Sequence, residues 1–135
     1  MKKVIFTLFV LISTMATFAQ VAQNSKTEKF VAKAPAFRWD KMTFDFGKIK
    51  LNVPATHEFY FINTGEAPLI ISSVQASCGC TVAEYSKEPI TPGQRGYVKA
   101  TYNAAKPGVF NKTVTVNANT DDMAVQLTIN GEVSN

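Results

Sequence analysis

Between Phe37 and Val133 the chain is a series of short runs of β-branched and aromatic residues, each closed by a turn-forming cluster, and no apolar residue recurs at helical spacing. Such a stretch buries apolar surface only by stacking sheets face to face. Lys41 to Ile49 sets Phe44 and Phe46 on one face, with Gly47 placed for a bulge or bend. In Thr56 to Ile62, His57, Phe59 and Phe61 oppose Glu58 and Tyr60, and the run stops at Asn63-Thr64-Gly65, where Gly65 is expected to take a positive φ. Leu69 to Val74, following Pro68, reads as a central strand buried on both faces. Thr81 to Tyr85, Tyr97 to Tyr102, Phe110 to Asn119 and Met123 to Val133 complete the series, with Pro92-Gly93 suited to the centre of a type II turn. The expected fold is all-β, an immunoglobulin-like antiparallel β-sandwich of about seven strands.

The N-terminal end has a different character. Met1-Lys2-Lys3 and the apolar run Val4 to Ile12 have the form of a signal peptide, too short to cross a bilayer as a helix. Thr17 and Ala19 suit the cleavage site, so a signal over 1–19 and a mature chain from Gln20 are expected. Residues 20–36, rich in Gln, Asn, Ser, Lys and Ala, read as a flexible leader, and 37–135 as one sandwich domain. No transmembrane anchor is expected, and the compartment is the periplasm, with the cell surface or the medium as the other destinations. Without Lys2 and Lys3 the chain holds twelve bases against ten acids, and a balance of +2 does not imply a nucleic-acid partner.

One site of chemistry stands out. Both cysteines fall within Ser77-Cys78-Gly79-Cys80-Thr81, and three uses of them remain open. On a regular strand, Cα atoms two residues apart stand about 6.5 to 7 Å from one another, so a Cys78-Cys80 disulfide needs a bend, which Gly79 can supply. Two thiolates on one face could instead hold Cu(I), although His57 is the only histidine, Met42 and Met123 are the nearest thioether donors, and nothing in their spacing places them near the cysteines. A thiol-redox couple needs a neighbouring cation, and Glu84 is the nearest charge in sequence. Elsewhere the lone His57 makes no triad and Ser72, Ser73 and Ser77 occupy no nucleophile elbow, so a catalyst is not expected. Asp121-Asp122 reads as turn chemistry, Asn111-Lys112-Thr113 as an uninformative sequon, and Trp39 either pins the leader or joins an exposed patch.

Several segments carry a resemblance. Phe44-Asp45-Phe46-Gly47, Phe59-Tyr60-Phe61-Ile62-Asn63-Thr64-Gly65, Pro68-Leu69, Ser77-Cys78-Gly79-Cys80-Thr81, Pro92-Gly93 and Ile129-Asn130-Gly131-Glu132-Val133 resemble an exported Gram-negative domain family of unknown function with an SCGCT signature. That family is similar to the immunoglobulin-like abnormal-spindle, hydin-like and major sperm protein domains, mainly interaction modules. The resemblance implies fold and compartment but no activity. The functional expectation is therefore a binding or assembly module facing a protein or cell-envelope partner, with no cofactor and a structural Cys78-Gly79-Cys80 loop. The alternative is a thiol-redox or Cu(I)-handling protein that uses Cys78 and Cys80 directly.

Overall fold

A computed structural model describes residues 31–135. The signal segment 1–19 and residues 20–30 of the expected leader lie outside the described residues. Eight strands form: β1 (Phe37–Trp39), β2 (Thr43–Lys50), β3 (Ala55–Asn63), β4 (Ile71–Ala76), β5 (Thr81–Tyr85), β6 (Arg95–Tyr102), β7 (Gly108–Ala118) and β8 (Val125–Ser134). They make two four-stranded sheets, ordered β1-β3-β6-β5 and β2-β8-β7-β4. The alternation that defines each strand also fills the space between the sheets. Phe59 and Phe61 of β3 and Val98, Ala100 and Tyr102 of β6 meet Val114 and Val116 of β7 and Leu127 and Ile129 of β8, all of them buried.

The sandwich follows the expected immunoglobulin-like plan, with three local differences. First, β2 runs parallel to β8, while the other pairings are antiparallel. Parallel neighbours need a long connection, and here the intervening strands supply it. Second, Leu69 to Val74 is not a central strand. Leu69 forms an isolated bridge with Ile90, β4 begins at Ile71 and lies at a sheet edge, and Ile70 is 45% exposed. Ordinary inward alternation of Leu69 and Ile71 was masked by an apolar residue between them. The side chain of Asn119 holds this stretch, accepting from Ile70 N at 2.7 Å and donating to Pro68 O at 3.0 Å.

Third, Gly65 does not take a positive φ, which among glycines is confined to Gly47, Gly93 and Gly108. A Cβ on Gly65 would lie 2.5 Å from Pro35 Cα and against the Ala34 carbonyl, so this glycine makes room for another backbone. That backbone is the end of the expected leader. Thr64 N donates to Ala36 O and Glu66 N to Lys33 O, each at 2.9 Å, and Pro35 is buried. The packed domain therefore starts at Lys33, four residues before the expected boundary. The two turn and bulge expectations hold: Gly47, at φ +65°, sits within the register shift of β2, and Gln94 N closes the Thr91-Pro92-Gly93 turn on Thr91 O at 3.0 Å, with Gly93 at φ +79°.

Trp39 is half-buried on β1, stacked on Phe37 at 5.0 Å and tilted against Phe61 at 4.9 Å, so it belongs to the domain and not to an exposed patch. His57 is half-buried as well, lying flat on Phe44 at 3.6 Å with Phe59 edge-on at 4.7 Å. Its burial, then the Lys41 ammonium, push its pKa below 6.5, against a smaller opposing effect of Glu58. A depressed histidine pKa means that the unfolded chain binds the proton more readily, so stability is complete above pH 6.5 and falls as pH drops toward the folded value. Urea unfolding on either side of this window, with His57→Phe as reference, is expected to show a slope that the variant lacks.

Candidate functional site: the Cys78-Gly79-Cys80 corner

The cysteines lie where the chain changes sheets. β4 ends at Ala76 on the edge of one sheet, β5 begins at Thr81 on the edge of the other, and residues 77–80 turn the corner between them. Backbone bonds fix this corner from two sides. Ser77 N donates to Thr113 O at 2.9 Å while Ser77 Oγ accepts from Thr113 N at 3.2 Å, and Asn103 N donates to Cys80 O at 3.0 Å. Thr81 N closes the turn on Cys78 O at 3.3 Å.

The bend brings the Cα atoms of Cys78 and Cys80 to 5.3 Å, within the span of a disulfide, and the two sulfurs are at bonding distance. The bend does not depend on glycine. Gly79 has no left-handed φ, and a Cβ there would meet nothing within 4 Å. The Cys78 sulfur lies 3.9 Å from the hydroxyl of Thr81, a residue only 5% exposed. Since a bond across one intervening residue constrains the unfolded chain very little, the double variant Cys78→Ser, Cys80→Ser is expected to fold and to lose less than about 2 kcal/mol in denaturant unfolding.

Both cysteines line a cavity of about 320 Å³ whose wall also includes Tyr102, Asn103, Lys106 and Lys112. The two lysines are the residues that sequence reasoning missed. Lys106 opens the Lys106-Pro107-Gly108 turn and Lys112 lies within β7, far from the cysteines in sequence, so no local signal could have found them. His57, Met42 and Met123 do not line this cavity; His57 faces another of about 280 Å³ beside Asp40 and Lys41. Among the described residues no three His, Cys, Asp or Glu side chains gather at one point. A soft metal would thus find two sulfurs here and no third donor of those types. Asp121 and Asp122 are exposed between β7 and β8, and Asn111 is exposed on β7.

Residues 37–133 match the family described as "Protein of unknown function (DUF1573)". The chain belongs to this family. No curated protein matches the DUF1573 chain. Among solved structures it is similar to a protein of unknown function from Porphyromonas gingivalis W83, with 14% identity and a TM-score of 0.65 over 73% of this chain and 46% of that one. The chain thus spans less than half the length of that protein. It is also similar to the ASH/PapD-like domain 7 of human CEP192, at 7% identity and a TM-score of 0.62, over 73% of this chain and 84% of that one. A third likeness is to the CsuC-CsuE chaperone-tip adhesion subunit complex of Acinetobacter baumannii archaic pili, at 11% identity and a TM-score of 0.54, covering 73% and 57%. At these identities the likeness shows the sandwich fold. No helix among the described residues is long and apolar enough to cross a membrane.

Proposed function

We propose that this DUF1573 domain is an exported binding or assembly module of the cell envelope, working in the periplasm or at the cell surface through contact with a partner. The observation that carries the reading is the unequal protection of its sheet edges. The β2 edge carries Lys48, Lys50 and a glycine bulge, devices that discourage pairing with another strand, and the β1 edge is only three residues long. The β4 edge is broken by a register shift between Ile71 and Ser73, and the β5 edge has none of these devices. It runs Thr-Val-Ala-Glu-Tyr without Lys or Pro, pairs on one side only with β6, and leaves Val82 61% exposed.

An extended segment of an envelope protein that adds to β5 as a further strand would complete its backbone hydrogen bonds and cover Val82. The Cys78-Cys80 pair sits at the corner from which β5 starts. The likeness to a chaperone-subunit complex supports an interaction role for such a sandwich, while the partner's identity rests on the test. A photo-crosslinking amino acid at Val82 in cells is expected to trap a discrete envelope protein, with little trapping from the same probe at Lys48 on the protected edge. Equal trapping at both positions, or none at Val82, would contradict the reading.

A further inference from the structure

We propose that the Cys78-Cys80 pair is also an exchange-active disulfide, one that oxidises dithiols of polypeptide segments reaching the corner. The fold leaves the bond little structural work. Ser77 with Thr113, and Cys80 with Asn103, already fix the corner by hydrogen bonds, and closing so short a loop adds little to stability. The surroundings are suited to thiolate chemistry. Lys106 and Lys112 enter the cavity wall from outside the corner, no acid is among the lining residues, and neither lysine forms an ion pair among the described residues. Cations beside a thiolate stabilise it and make it a better leaving group. The tip is open as well, because Gly79 is exposed and a Cβ added there would meet nothing within 4 Å.

The step balances as follows. A substrate thiolate attacks the Cys80 sulfur, forming a mixed disulfide while the Cys78-Cys80 bond breaks. Cys78 leaves as a thiolate beside the Thr81 hydroxyl, 3.9 Å away, in the cavity that Lys106 and Lys112 also line. The second substrate thiolate then attacks the substrate sulfur of the mixed disulfide and releases the Cys80 thiolate. The substrate loses two electrons and becomes a disulfide, the pair gains them and becomes a dithiol, and the two substrate protons pass to Cys78 and Cys80. Return to the oxidised state is the same exchange with a protein disulfide as oxidant.

The test uses the oxidised mature protein and dithiothreitol, whose reacting form is a thiolate anion, at high ionic strength so that its long-range attraction by the lysines is screened. The rate of reduction is followed by acid quenching, alkylation and intact mass. Lys106→Gln with Lys112→Gln is expected to slow reduction about three- to tenfold, and Gly79→Val to slow it further by blocking approach, with unfolding midpoints unchanged. In the reduced protein, alkylation against pH is expected to give one thiol a pKa below the ordinary value of about 8.5, returning toward it in the double lysine variant. Rates and thiol pKa values that are the same in all three proteins would overturn the proposal and leave the bond as local bracing. Cross-linking from Val82 does not depend on this outcome, so the two proposals fail separately.

Discussion

Asn63→Ala is expected to lower the free energy of unfolding by about 3 kcal/mol, one of the largest effects available to a single polar residue here. Asn63 is completely buried and uses every polar valence of its amide. Its Oδ1 accepts from Ala36 N at 3.3 Å and Gly65 N at 3.0 Å, while Nδ2 donates to Ala67 O at 2.8 Å and Ile90 O at 2.9 Å. One side chain thus ties together the chain before β1, the turn after β3, the approach to β4 and the bridge at Ile90. Alanine leaves the Gly65 N–H buried without a partner, whereas Ile90 O keeps its bond from Leu69 N at 2.9 Å. Asn63→Asp is expected to cost at least as much, because a carboxylate oxygen would then face two carbonyls. Denaturant unfolding checks both, and a loss below about 1 kcal/mol would mean that water replaces the amide without penalty.

Gly65→Ala is the second. The added methyl meets the backbones of Ala34 and Pro35, and backbone cannot swing aside as the end of a flexible side chain can. A cost of about 1–3 kcal/mol is expected, relieved in part by undocking of residues 33–36. Hydrogen exchange separates this from general loosening. The amides of Thr64 and Glu66, bonded to Ala36 O and Lys33 O, should lose protection while those of β6 and β8 keep it. At Gly79 the same substitution meets open space and is expected to cost almost nothing.

These residues also show what was legible in the sequence. Alternation in β3 marks Phe59 and Phe61 as core correctly, because the strand has one face toward the opposite sheet. Gly65 follows Asn63-Thr64, a turn signal that points to a conformational glycine, and a close backbone approach leaves no trace in local sequence. The parallel register of β2 with β8 and the edge position of β4 depend on pairings between distant segments, which periodicity cannot report. At the site, the cysteines and the need for a bend were visible. The cavity and its lysines were not, since they form only when the turn between β6 and β7 comes down beside the corner.

Export and a closed corner are tested together by one intact-mass measurement on the protein taken from an envelope fraction without reductant, alkylated before and after reduction. A chain beginning at Gln20, lighter than the dithiol form by two hydrogens and accepting two labels only after reduction, is the predicted result. A chain that retains Met1, or one whose Cys78 and Cys80 take label before reduction, would contradict it.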